Sequence, residues 1–131
     1  MKKIKNVLLI DDNEITNYLH TFLFQDLGIA ENIHAKLNGQ EAIDFLSTRN
    51  EEEQPDLILL DINMPIMDGF EFLSHYQNTK MPDITVLLMV STSINPYDVE
   101  RSQQFSQVNG FVGKPLTKEK IQNIRDEYFN T

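Results

Sequence analysis

Three apolar runs, VLLI at 7–10, LILL at 57–60 and ITVLLMV at 84–90, are almost unbroken, and they limit the fold more than any other feature. A strand with one wet face alternates apolar and polar residues. A strand apolar at nearly every position is covered on both sides, as in a parallel sheet with helices packed above and below it. Two weaker segments complete a set of five. NIHAKLN at 32–38 alternates, with Ile33, Ala35 and Leu37 on one side, and GFVGK at 110–114 is short and interrupted by glycine. Both read as edge strands, where less is buried.

Helical patterns fill the intervals. After the first strand, Ile15, Leu19, Phe22 and Leu23 fall at i, i+4, i+7 and i+8, which predicts one buried helix face, with Asn13 as its cap and Gly28 at its end. Ala42, Phe45 and Leu46 mark a second, shorter helix. Asp68 and Glu71 form a D-x-x-E capping pair opening a third, which carries Phe70, Leu73 and Tyr76. Asn95 caps a fourth, with Pro96 at its first position, but Val99, Phe105 and Val108 give it only a sparse apolar face. Thr117 caps the last, with Ile121, Ile124 and Tyr128 inward. The segment STRNEEEQPD at 47–56 is the charged loop and reads as a solvated excursion. Strand and helix alternating five times predict an α/β doubly wound parallel sheet in one domain, 1–131. Two residues follow the last helix, so no output domain is expected.

Composition excludes several functions. With 11 basic and 20 acidic side chains the net charge is −9, the wrong sign for a nucleic-acid surface. No cysteine is present, which removes disulfides, thiolate zinc sites and thiol nucleophiles. The start MKKIKNVLLIDD has a basic lead, but its apolar run stops after four residues at two acids, too short for a signal core. No run reaches the ~18 apolar residues of a membrane span. No membrane partner is therefore expected, and the expected location is the cytoplasm.

Ligands of doubly wound sheets sit beyond the carboxyl ends of the strands, where strand order reverses. Those ends carry Asp11-Asp12, then Asp61 with Asn63 two residues on, then Ser91-Thr92-Ser93, and finally Lys114-Pro115. Taken singly, each has a plain structural role: an aspartate after a strand caps a helix or makes a turn, a serine bonds loop backbone, a lysine is solvated. Their convergence on one rim is what points to chemistry. Three gathered carboxylates raise one another's pKa unless a cation neutralises them. An all-oxygen set selects a hard ion, Mg2+ where phosphate is handled. Lys114 and the Ser91 hydroxyl are suited to phosphoryl oxygens.

The segments LLIDDNE, DLILLDINMPIMDGFEFL, LLMVSTS and GFVGKPLT closely resemble the receiver domain of two-component response regulators, in order and across essentially the whole chain. The resemblance implies a flavodoxin-like sheet of order 2-1-3-4-5. It implies that Asp61 is the phosphoacceptor, taking a phosphoryl group from a sensor histidine kinase or a histidine phosphotransfer protein. Asp12, Asp61 and the backbone carbonyl of Asn63 would then hold Mg2+, with Asp11 acting through a water. Ser91 takes the family's switch hydroxyl position and Phe111 its aromatic switch position, while Lys114 pairs with the phosphoryl group. The Lys114-Pro115 peptide is cis in the pattern. The switch would remodel the face made by the fourth helix, fifth strand and fifth helix; from its spacing alone, Phe111 reads as a core aromatic on an edge strand. Two residues depart from the pattern: Gly113, where a bulkier apolar residue is common, predicts a looser fifth strand, and small Ser93 predicts a more water-exposed phosphoryl group.

Three other functions fit less well. A haloacid-dehalogenase-type, Mg-dependent aspartyl-phosphate phosphohydrolase needs a second aspartate where Asn63 stands. A flavin or nucleotide module needs glycine or hydroxyl residues after the first strand, and this chain has DDNEIT. A phosphorylation-independent binding scaffold would be expected to lack Asp61 or Lys114.

Overall fold

The computed structural model describes residues 4–76 and 85–129. Five strands, β1 (Ile4–Ile10), β2 (Ala30–Lys36), β3 (Leu57–Asp61), β4 (Val86–Ser91) and β5 (Val108–Gly113), alternate with five helices. These are α1 (Glu14–Leu27), α2 (Gly39–Ser47), α3 (Gly69–Tyr76), α4 (Pro96–Ser102) and α5 (Lys118–Tyr128). The strands form one parallel sheet in the order β2-β1-β3-β4-β5. Order reverses between β1 and β3, so Asp11 and Asp61 end up side by side at the switch point. Ile84, counted in the fourth strand from its sequence, lies outside the described residues.

The apolar runs divide by the pleat, because successive side chains of a strand leave opposite faces. Leu8, Ile10, Ile58, Leu60, Leu87 and Met89 pack with Ala42 and Leu46 of α2 and Phe70 and Leu73 of α3. Val7, Leu9, Leu57, Leu59, Leu88 and Val90 pack with Phe24 of α1 and Ile121 and Ile124 of α5. The two edge strands are partly exposed, as read from their patterns. β2 begins two residues earlier than its alternation suggested, leaving Leu37 beyond the strand and Ala35 exposed.

Every expected helix cap is made. Asn13 Oδ1 accepts from the Thr16 N–H at 3.0 Å, and Gly28 closes α1 in the left-handed region at φ 62°. Asp68 and Glu71 bond each other's backbone N–H at 2.8 and 3.2 Å. Asn95 and Thr117 cap α4 and α5. The charged excursion is more ordered than its composition implied. It holds a 3-10 turn at Glu51–Glu53, closed by a reciprocal Asn50–Glu53 pair, and Asp56 anchors it to β1 through the Asn6 N–H at 2.9 Å.

Two expectations about helix faces need correction. In α1, Ile15, Leu19 and Phe22 are 71%, 53% and 52% exposed, while Asn17, His20 and Phe24 are buried and Leu23 is half-buried. Both stripes have helical spacing, and apolarity alone selected the wrong one. Phe24 on that face packs into the core, and Asn17 Nδ2 donates to the carbonyls of Asp11 at 2.9 Å and Lys36 at 3.4 Å, which ties the face to the ends of β1 and β2. In the fourth helix the apolar pattern ran past the helix end. Phe105 and Val108 lie beyond α4, Val99 is half-buried, and Ser102 is the buried residue of the helix.

The corrected face of α1 predicts unequal costs for two phenylalanines two positions apart. Phe24→Ala should lower unfolding free energy by about 3–5 kcal/mol in chemical denaturation. Phe22→Ala should change it by no more than about 0.5 kcal/mol.

Candidate functional site

β3 is buried at all five positions, so the backbone that carries Asp61 is fixed on both faces. The chain leaves it sharply. Gly69 N–H donates to the Ile62 carbonyl at 2.8 Å, and the start of α3 lies so close that a Cβ on Gly69 would sit 2.5 Å from the Asp61 carbonyl oxygen. Glycine is required there by that approach. Between them Ile66 takes a left-handed φ of 70° with its side chain 80% exposed.

Carboxylate oxygens of Asp11, Asp12 and Asp61 lie within 4.8 Å of one another. Asp11 and Asp61 are buried and Asp12 is exposed, so the cluster opens to solvent on one side. Lys114 Nζ bridges the two buried acids, 2.5 Å from Asp11 Oδ2 and 3.3 Å from Asp61 Oδ1. Asp11 Oδ1 accepts from the Asn13 N–H and Asp61 Oδ1 from the Ile62 N–H, both at 2.9 Å. Burial raises the pKa of Asp61 above its usual 3.8; Lys114 pulls it down and Asp11 pushes it up again. For Lys114 burial works to lower the pKa, but the hydrogen bond and charge of Asp11, with Asp61 behind them, raise it overall. The lysine is therefore held charged. Oxygen-only donors at this separation fit a hard divalent cation such as Mg2+.

The remaining predicted residues are spread over the ends of β3, β4 and β5. Asn63 is exposed in the turn two positions after Asp61. Ser91 is buried at the end of β4, with its hydroxyl turned into the following loop: it donates to the Ser93 carbonyl at 3.0 Å and accepts from the Ser93 N–H at 3.1 Å. Ser93 itself is exposed. Lys114 N–H donates to the Ser91 carbonyl at 2.8 Å, and the Lys114-Pro115 peptide is cis. Phe111, opposite Met89 in the ladder, is half-buried against the cluster that contains Leu60, Phe70 and Met89.

Sequence reasoning missed Asn17 and His20, which line a small chamber beneath Asp11 and Asp61. Burial lowers the pKa of His20, with Asp11 raising it and Lys114 lowering it. The available signal was the second stripe on α1, Asn17, His20 and Phe24 at i, i+3 and i+7, polar at the end nearest the rim.

A five-stranded parallel sheet in this order, with acids and a lysine on its carboxyl rim, defines a flavodoxin-like fold with an acidic switch-point site. Residues 7–125 match the response regulator receiver domain, and the chain belongs to that family. The chain is 34% identical over 121 residues to the two-component response regulator ARR22 of Arabidopsis thaliana, covering 92% of this chain and 80% of that protein. It is 31% identical over 118 residues to the chemotaxis protein CheY of Halobacterium salinarum, covering 89% and 90%. The crystal structure of a two-component response regulator from Cytophaga hutchinsonii superposes with a TM-score of 0.85 at 30% identity, covering 99% of this chain and all of that one. Among the described residues no helix is long and apolar enough to cross a membrane.

The raised pKa of Asp61 predicts a pH-dependent stability difference. A buried acid that binds its proton more tightly when folded costs stability as pH rises from the usual carboxylate range through the folded value. Without metal, Asp61→Asn should therefore melt above the wild type at pH 7. That gain should shrink as pH falls through the same window, measured by thermal melts in chelator.

Proposed function

We propose that this chain is a phospho-accepting receiver in which Asp61 takes a phosphoryl group from the phosphohistidine of a sensor histidine kinase or a histidine phosphotransfer protein. The observation that carries the reading is Asp61 itself: a carboxylate at the end of a fully buried strand, grouped with Asp11 and Asp12 and bridged by Lys114. In the reaction a carboxylate oxygen of Asp61 forms the new O–P bond as the P–N bond of phosphohistidine breaks, and the electron pair leaves on the imidazole nitrogen. Both contacts of the Asp61 side chain among the described residues fall on Oδ1, so Oδ2 is the freer oxygen for attack.

Phosphoryl transfer asks a protein mainly for in-line positioning and charge neutralisation. Asp12, Asp61 and the Asn63 carbonyl would hold Mg2+, with Asp11 reaching it through water. When bound, the ion supplies the divalent positive charge that lets carboxylates and phosphoryl oxygens share one site. Lys114 would exchange its contact with Asp61 for a phosphoryl oxygen, and Ser91 would exchange its Ser93 partner for another. The movement of Ser91 would open space for Phe111 and so alter the face of α4, β5 and α5, where α4 contributes little to the core. The signal would pass by binding a further protein or by phosphorelay. The exposed ridge of α1 supports docking at this rim, because Leu19 and Phe22 line an apolar groove with Pro115 and Leu116 beside Lys114. A Mg-dependent phosphohydrolase is disfavoured by Asn63, which offers no acid proton where that chemistry needs one.

Incubation with Mg2+ and acetyl phosphate should add one phosphoryl group by intact mass. The gain should be absent with chelator and absent in Asp61→Ala. Lys114→Ala should still bind Mg2+ but take up the group more slowly and respond to it poorly; unchanged partner binding by its phosphorylated form would remove the role given to this lysine. Replacing Ser93 by Glu or Lys should slow loss of the phosphoryl group several-fold by covering it from water, and an unaltered decay would show that this small residue does not set the lifetime.

A further inference from the structure

We infer that Lys120, which stands outside the acidic cluster, is a positioning residue for Lys114. The inference rests on the reading of Lys114 as the phosphoryl partner. Lys120 Nζ donates to the Gly113 carbonyl at 2.8 Å and to the Pro115 carbonyl at 3.0 Å. It thus clasps the backbone immediately before and immediately after the residue pair Lys114-Pro115.

Among the described residues neither carbonyl has a backbone donor in the sheet or helix. β5 is an edge strand, and Lys114 N–H points inward to the Ser91 carbonyl. Backbone groups alternate direction along a strand, so the Gly113 carbonyl points outward, where no further strand supplies an N–H. The Pro115 carbonyl lies in the loop before α5, two residues ahead of the Thr117 cap. Lys120 is in the first turn of α5, and helical side chains lean towards the N-terminus, which brings its ammonium back over this loop. A cation in a first turn opposes the helix dipole. Two charge-assisted bonds to carbonyls offset that and account for a lysine at this position.

Gly113 fits the same device. A Cβ built there lies 3.6 Å from Lys120 Nζ, so the ammonium rests directly over this position at ordinary contact distance. The Gly113 carbonyl is one of the two oxygens that Lys120 holds. With Lys114 N–H on Ser91 and the flanking carbonyls on Lys120, the Lys114 backbone is held on both sides. Its side chain then spans from Asp11 to Asp61.

Two measurements on the full chain test this. The first is 15N-detected NMR of lysine side-chain ammonium groups, with the Lys114 signal assigned by its loss in Lys114→Ala. In Lys120→Met the Lys114 signal should move to the solvated-lysine position or broaden away, whereas Lys120→Arg should retain it. The second is the phosphorylation rate with acetyl phosphate at saturating Mg2+. Lys120→Met should lower it about tenfold through misplacement of Lys114, and Lys120→Arg should restore most of it. In a Lys114→Ala background Lys120→Met should change the rate by no more than about twofold, because contacts acting through one residue are not additive. An unmoved Lys114 signal, an unaltered rate in Lys120→Met, or an equal loss in both backgrounds would each overturn the inference. If the wild type accepts no phosphoryl group, the phosphoacceptor reading fails, and the ammonium signal alone then decides whether Lys120 holds Lys114.

Discussion

The molecule is organised around carboxylates that would separate if the backbone allowed it. Parallel strands leave a sheet at a common edge, and the reversal of order between β1 and β3 sets Asp11 and Asp61 next to each other at that edge. Their cores are buried and their registers fixed, so neither acid can retreat. The chain answers this with an internal cation, Lys114, drawn in from the far side of the sheet. The strand that carries it is held at its end by Ser91 and Lys120. In the proposed function a divalent ion at this rim would meet a site whose charge is already partly balanced, and Lys114 would share the acids with it.

The same arrangement gives phosphorylation its leverage in the proposed function. An incoming phosphoryl group offers Lys114 and Ser91 new acceptors, and both currently hold good alternatives within the protein. The change is then a redistribution of hydrogen bonds over a few ångströms. In that reading it would pass along β4 and β5 to Phe111 and on to α4, which meets the core through buried Ser102 and through Arg101, whose guanidinium lies 4.2 Å over the Phe70 ring.

The fold was legible wherever burial on two faces left no choice of residue. The runs at 7–10, 57–60 and 84–90, the last entering its strand only at Val86, the caps at Asn13, Asp68, Asn95 and Thr117, and the order of elements were written in the chain. The rim acids could be read because their chemistry makes sense only together. The rotation of α1 was not legible. Two stripes of helical spacing compete there, and the more apolar one is not the buried one: Phe24 packs inward while Asn17 bonds the carbonyls of Asp11 and Lys36, so apolarity alone could not choose between them. Lys120 was invisible for a related reason: its partners are backbone oxygens, which have no sequence signature. Gly113 was noticed as a departure, but that its carbonyl is bonded by a side chain seven positions away could not be read.

The exposed apolar ridge of α1 sits on a chain of net charge −9, and this pairing has a colloidal consequence. Two copies approaching through their ridges first meet as like-charged bodies, and the reach of that repulsion is set by dissolved ions. The Debye length shortens from about 30 Å at 0.01 M to about 8 Å at 0.15 M salt. In dilute buffer the molecules are held apart before their greasy surfaces can touch. At physiological salt that long-range barrier has thinned to molecular contact distances, and what meets the ridge is decided by shape.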